Sequence, residues 1–343
     1  MSLQTKAIIG IDVGSSQVKM VQTNAKGEVI HWGIGHVPKD LFRQGKVEAI
    51  EPLVDTLRKI IKEKKIKGRR CALCYSGNDV IIRELQLPVM TDQQIELNIQ
   101  YELSEYLPLD PLKYSIEYRV LDTMEEQDTA SMRVMVVAAL RESLQVYMDI
   151  LKKAGVKPVY IDIPSNVREK LLRYALSANS QQRICVVDIG ASMTEISLYH
   201  NGVYFTNKTT PIGAQHLTAM LSEYLHIDEL AAERWKTDHH YMERGLGDSL
   251  RTQIISYLEQ LVQEVSRVVA YYQNRNYQSE VEKIYLMGGG SLLKGLPEYL
   301  EEHLGIKVSY INELLLSLEY KHEVARNGVF LADAIGTTLR VEG

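Results

Sequence analysis

The chain has 343 residues, 45% hydrophobic and 24% charged, an ordinary globular composition that is too long for one typical core, so two domains are expected. A formal charge of −5 and a pI near 6.0 exclude a protein whose main work is wrapping nucleic acid. No apolar run approaches the roughly 18–20 residues that span a bilayer, and the N-terminus has no signal-peptide core, so a cytoplasmic protein without direct membrane insertion is expected.

The first element is the apolar, β-branched run Ala7-Ile-Ile-Gly-Ile-Asp-Val13, which enters a tight turn in Gly10-Ile-Asp-Val-Gly-Ser-Ser16. A glycine there lets the backbone approach a ligand, and the small residues after it leave N–H groups free to cradle phosphate oxygens. The aspartate before it suits a hydrated Mg²⁺. Strands over Gln17–Gln22 and Val29–Ile34 follow, joined by the hairpin loop Asn24-Ala-Lys-Gly27. Residues 47–65 carry helical periodicity through Leu53, Leu57, Ile60 and Ile61. The basic cluster between Lys62 and Arg70 reads as that helix's end, where lysines complement the dipole. Cys71-Ala-Leu-Cys74 spells C-x-x-C, but it sits in a strand, which sends positions three apart to opposite faces, so buried strand cysteines are expected over a redox pair.

Composition changes near Pro88. Thr91 caps a helix running through Ile95, Ile99, Leu103 and Leu107; residues 114–121 and 132–139 read as strands around an acidic turn at 122–128; residues 142–154 are helical. This block reads as a small inserted α+β subdomain. Residues 156–161 return the chain to the first domain, and Pro164 opens a helix.

From Arg183 the opening pattern repeats. Val186-Val-Asp-Ile-Gly-Ala-Ser192 ends a second apolar strand, followed by strand Thr194–Tyr199, the hairpin His200-Asn-Gly202 and strand Val203–Thr206. The supersecondary unit is thus internally duplicated. Residues 214–236 and 248–272 read as helices, the latter amphipathic. A third glycine element, Met287-Gly-Gly-Gly-Ser291, follows the apolar strand Ile284-Tyr-Leu and precedes a helix, offering bare backbone to a flat ring or ribose. G-x-x-x-x-G-K-[ST] is missing, and no G-x-G-x-x-G follows the first strand, so P-loop and Rossmann sites are excluded; no H-E-x-x-H occurs, and His239-His240 reads as solvated loop.

These three segments resemble the two phosphate loops and the adenosine loop of the actin-like ATPase superfamily. Within it the chain most resembles the PilM family of type IV pilus assembly, with the division protein FtsA as a cousin. Ala232-Glu-Arg-Trp-Lys236 is similar to the superfamily's A-E-x-x-K motif, and Phe330-Leu-Ala-Asp-Ala-Ile-Gly-Thr-Thr338 resembles its C-terminal connecting helix. The resemblance implies an α/β actin-like fold of two duplicated ribonuclease-H-like domains with an FtsA/PilM-type inserted subdomain. Its parts would be 1–88 plus 156–180 (1A), 89–155 (1C), 181–215 plus 270–343 (2A) and 216–269 (2B). It implies ATP and Mg²⁺ as ligands. Asp12 would hold the metal's water shell, Gly14, Ser15 and Ser16 would wrap the terminal phosphates, and Lys19 would neutralise their charge. Asp188, through water, with Gly190, Ala191 and Ser192, would face them. Glu233 would meet the ribose, Lys236 the ribose or base, and Gly288, Gly289 and Gly290 the adenosine. Glu264 and Arg267 would edge the base or form an ordinary i,i+3 ion pair.

Asp162 would orient the attacking water, or else cap the helix opened by Pro164. Two departures bear on the A-E-x-x-K helix: Trp235 replaces an aliphatic residue, and Thr237-Asp-His-His-Tyr241 lacks the expected glycine. The implied function is an adaptor at the inner face of the plasma membrane, with slow turnover or a nucleotide switch, that grips the cytoplasmic tail of a single-span PilN-like protein; homo-oligomers are allowed. A filament-forming FtsA- or MreB-like protein is the rival, against which stands the chain's end at Arg340-Val-Glu-Gly343 without a basic amphipathic helix. A small-molecule kinase is a third reading, disfavoured by the tyrosine-rich insertion (Tyr101, Tyr106, Tyr114, Tyr118).

Overall fold

The computed structural model describes residues 8–38, 41–43, 45–106, 110–126, 129–176, 182–241, 247–275, 280–318 and 320–339. Leu107, part of the acidic turn (127–128) and the segment 340–343 lie outside the described residues.

The chain opens with β1 (Ile9–Val13), β2 (Gln17–Thr23) and β3 (Val29–His36), then the short pair β4 (Phe42–Arg43) and β5 (Lys46–Val47), helix α1 (Glu51–Glu63) and β6 (Arg70–Cys74). Next come β7 (Ile81–Pro88), α2 (Asp92–Tyr106), β8 (Tyr114–Glu126), β9 (Thr129–Leu140) and α3 (Arg141–Lys153). Strand β10 (Lys157–Asp162) and helix α4 (Pro164–Ala175) lead to β11 (Arg183–Ile189), β12 (Thr194–His200) and β13 (Val203–Thr210). Helices α5 (Ala214–Leu225), α6 (Glu229–Asp238) and α7 (Asp248–Arg275) precede β14 (Lys283–Met287). The chain then forms α8 (Leu296–Leu304), β15 (Lys307–Tyr310), α9 (Asn312–Ser317), α10 (His322–Arg326) and α11 (Gly328–Gly336).

Two five-stranded sheets share one plan. The first runs β3-β2-β1-β6-β10 and the second β13-β12-β11-β14-β15. In each, an antiparallel triple is extended by a parallel strand on its first member, β6 on β1 and β14 on β11. The registers coincide: Asp12 lies across from Lys19, and Asp188 across from Glu195. The duplication read from the two turn motifs is therefore a duplication of whole sheets.

The chain divides into two compact units, 1–37 with 59–75 and 159–343, and 38–58 with 76–158. Both five-stranded sheets belong to the first. Its larger core packs α5, α7 and α8 on the second sheet through Leu217, Leu221, Ile254, Leu258, Leu261 and Leu300. Helix α11, almost wholly buried, packs by backbone contact at two places. A methyl group at Gly10 would overlap the Ala334 carbonyl, and one at Gly336 would overlap Val167 of α4. The second unit holds the antiparallel sheet β7-β9-β8, with Ile95, Ile99 and Leu103 of α2 covering Leu87, Met132, Val134 and Val136.

Local differences from the sequence reading have identifiable causes. The acidic stretch from Asp122 is strand rather than turn, because Arg133 on β9 bonds both Asp122 and Glu84 and pays the three strands' charges off against one another. Strand β7 pairs with β9 from Ile81 to Pro88, so this sheet begins before residue 89. The helix expected over 214–236 is two helices: His226 takes a left-handed conformation and Asp228 caps α6 by accepting from Ala231 N–H.

Candidate functional site

Both turn motifs close in the same way. Gly14 N–H donates to Gln17 O and Gly190 N–H to Met193 O, each at 2.9 Å. Ser15 and Ser192, one from each turn, are hydrogen-bonded through their Oγ atoms at 3.1 Å, so the two loops meet face to face. The Ser16 carbonyl accepts from Val37 N–H, which ties the first turn to the end of β3. The second turn is seated on α5, whose first amides, Ala214 and Gln215, donate to Gly190 O and Ala191 O.

Asp12 is buried and accepts from Lys19 Nζ at 2.9 Å. Burial, and secondarily Asp333, holds its carboxyl above the ordinary aspartate value against the pull of Lys19. Burial works to lower Lys19, but Asp12 together with Asp188 and Asp333 outweighs it and the lysine stands above its usual value.

Asp188 is bound differently. Its Oδ2 accepts from Nη2 of Arg168 at 2.6 Å, and Arg168 in turn donates from Nε and Nη2 to the two oxygens of Asp333, at 3.0 and 2.8 Å. Glu195 lies 3.4 Å from Nη1. Arg168 is only 1% exposed, and these carboxylates hold it well above the ordinary arginine value despite burial. Burial pushes Asp188 up to about 6, Arg168 opposing. Neither Arg168 nor Asp333 figures among the site residues read from the sequence. Two signals bear on them: Asp333 lies in the segment resembling the connecting helix, and Glu195 is an acid where the first copy has Lys19.

Around the paired turns stand four carboxylates, Asp12, Asp188, Glu195 and Asp333, against two cations, Lys19 and Arg168. That excess of two negative charges in a largely buried place fits a divalent cation and repels a bare phosphate. Among the described residues no three His, Cys, Asp or Glu side chains converge into a metal-ligand set.

The third glycine element abuts the second turn. Gly288, at φ +81°, donates its N–H to Val329 O of α11, and a methyl group there would overlap both Asp188 Oδ1 and the Ile189 carbonyl. A methyl at Gly290 would overlap Ile189 and crowd Ala214, whereas one at Gly289 would meet only Phe330, at 3.4 Å. Two of the three glycines are thus required by packing, and Gly289 alone has room. Gly288→Ala is expected to cost about 2–4 kcal/mol of stability, from positive-φ strain and overlap, and Gly289→Ala under about 1 kcal/mol, by urea unfolding.

The remaining expected residues are placed as follows. Lys236 is 4% exposed; its Nζ donates to Thr218 Oγ1 at 2.6 Å and Glu233 Oε1 at 2.9 Å, fastening α6 to α5, and burial lowers its pKa against the pull of Glu233. Glu233 also accepts from Thr218, and it is the half-exposed member of the group. Trp235 stacks on His239 at 4.9 Å, and His240 stacks on Tyr241, so the histidine pair expected in solvated loop is half-buried and packed. Glu264 pairs with Arg267 and with Lys208 of β13, each at 2.5 Å. Asp162 accepts from Ile163 N–H, just before α4, and from Asn166 and Lys170 in its first two turns. Cys71, Cys74 and Cys185 are free and buried; burial pushes Cys71 up to about 12.

A family model described as Type IV pilus assembly protein PilM matches residues 10–341. The chain belongs to that family. A solved PilM-PilN type IV pilus biogenesis complex is similar at a TM-score of 0.82 and 25% identity, covering 97% of this chain and 98% of that one. The cell division protein FtsA of Neisseria meningitidis serogroup B is 23% identical over 353 residues, 90% of this chain and 84% of that protein. MreB5 of Spiroplasma citri, solved bound to AMPPNP, shares the fold at a TM-score of 0.54 and 12% identity, covering 92% of this chain and 94% of that one. The PilM-family chain thus has the actin-like fold, and none of its described helices is long and apolar enough to cross a membrane.

Proposed function

We propose that this protein is an ATP-binding, actin-like adaptor of type IV pilus assembly, held at the inner face of the plasma membrane by the cytoplasmic tail of a PilN-like single-span protein. The observation that carries the reading is the meeting of two phosphate-type turns, each with an acidic neighbour, in a member of the PilM family. The likeness to a PilM-PilN complex over nearly the whole chain supports the partner.

In this reading the backbone amides of Ser15, Ser16, Ala191 and Ser192 bind phosphate oxygens, and Lys19 shifts from Asp12 toward them. A bound Mg²⁺ would neutralise phosphate charge, its waters held by Asp12 and Asp188. Gly289 meets the adenosine, and Glu233, exposed beside Lys236, meets the ribose. Glu264, ion-paired with Arg267 and with Lys208, serves the fold of α7 on β13. Asp162, at the end of β10, is engaged on both oxygens by Ile163, Asn166 and Lys170, which favours a structural role at the β10–α4 junction and a nucleotide-state switch over rapid hydrolysis.

The test is affinity capture from solubilised host membranes in Mg·ATP with mass spectrometry, followed by titration of a synthetic peptide of the captured protein's cytoplasmic tail. Recovery of a single-span PilN-like protein whose tail peptide binds one-to-one is expected. A tubulin-like division protein in its place, or a tail peptide that does not bind, would sink the adaptor reading.

A further inference from the structure

The two halves of the site differ in charge at one register position. Across from Asp12 the paired strand supplies Lys19; across from Asp188 the same register position is Glu195, a second acid. The second copy therefore supplies no cation across from Asp188, and the positive charge beside that aspartate arrives from Arg168 on α4. Asp188 is thereby held through Oδ2 by the guanidinium, while its Oδ1 occupies the space that a methyl group on Gly288 would fill.

Arg168 is itself fixed. Its contact with Asp333 is a two-pronged fork on both carboxylate oxygens, a geometry that lysine cannot reproduce. Helix α4 is pinned to the second sheet on either side of it: Tyr199 Oη donates to Ser165 O, and Glu169 accepts from Tyr204 N–H, both at 2.9 Å. Asp333 sits on α11, which also holds Gly288 through Val329 O.

We infer that Arg168 is a positioning residue for Asp188, fixing that carboxylate for a hydrated divalent cation brought by the nucleotide, with Asp333 holding Arg168 in place. It is the counterpart, delivered from helix α4 instead of the paired strand, of Lys19 beside Asp12. This rests on the nucleotide reading above and adds to it the means by which the second aspartate is set.

The decisive variant is the double exchange R168M/D333L. It removes one positive and one negative charge, so the formal charge of the cluster is unchanged and only the clamp is lost. ADP binding is measured by calorimetry while Mg²⁺ is varied. The expected result is cooperative unfolding, a rise of about tenfold in the Mg²⁺ concentration for half-maximal binding, and an ADP affinity at saturating Mg²⁺ within about twofold of the parent.

An unchanged Mg²⁺ requirement in the folded double variant overturns the inference and leaves the nucleotide reading standing. So does an equal loss at all Mg²⁺ concentrations, which marks general damage to the site. A parent chain that binds no ADP in any Mg²⁺ overturns both. Should the double variant not fold, Arg168→Lys keeps the charge without the fork, and the same shift in Mg²⁺ requirement decides.

Discussion

Replacing Arg168 alone by methionine is expected to lower the unfolding free energy by about 3–5 kcal/mol, the usual cost of leaving a buried charge without its partner. Arg168 stands between Asp188, Glu195 and Asp333, and Asp333 is the most enclosed of the three, its side chain 6% exposed. Methionine fills much of the arginine's volume, so the loss is electrostatic more than a cavity effect. Removing Asp333 as well should restore part of the stability, because Asp188 and Glu195 are the carboxylates that keep some contact with water.

The pH dependence has a definite sign. Asp188 already stands at about 6 with the guanidinium beside it, above its unfolded value of 3.8, and without Arg168 it is higher still. The folded variant then binds protons more readily than its unfolded chain, so its deficit shrinks as the pH drops from neutral toward 5. Urea melts of parent and variant at pH 5 and 7.5 measure both terms, and a deficit under 1 kcal/mol at pH 7.5 would contradict the role given to Arg168.

The sequence made the turns legible and left the clamp hidden, for a physical reason. A glycine turn after an apolar strand is a local pattern, and its recurrence before Ser192 exposed the duplicated plan that the two sheets share. The third glycine run was equally visible, but not that Gly288 and Gly290 are set by packing on the second turn while Gly289 is free. Arg168 and Asp333 are 165 positions apart. In a helix reading Asn-Val-Arg-Glu-Lys-Leu-Leu, an arginine–glutamate pair passes for a solvated face, yet Arg168 and Glu169 are both 1% exposed. Periodicity tells which face is apolar; it does not tell which charges a second sheet will enclose. The same limit applies to Lys236: the motif resemblance implies a contact to ribose or base, and its burial as a fastener of α5 to α6 was not readable from the motif.

Asp12→Asn is expected to separate metal-dependent from metal-free binding in opposite directions. The amide keeps the carboxylate's shape and can still accept from Lys19 Nζ, so the fold should survive with a loss of about 1–3 kcal/mol from the weakened charged hydrogen bond. What disappears is one of the four negative charges around the turns, and with it one anchor for the cation's waters. Mg·ATP affinity should therefore fall about tenfold or more. In EDTA, by contrast, the nucleotide arrives as a bare polyanion beside an acidic cluster, and removing one carboxylate relieves repulsion worth roughly 1–4 kcal/mol at full charge and close range, less where water screens it. Metal-free ATP should then bind as well as to the parent, or a few-fold better. A local collapse of the site would weaken both, and an aspartate with no part in binding would change neither. Calorimetric titrations with Mg²⁺ and with EDTA therefore decide whether the first turn's aspartate is there for the metal.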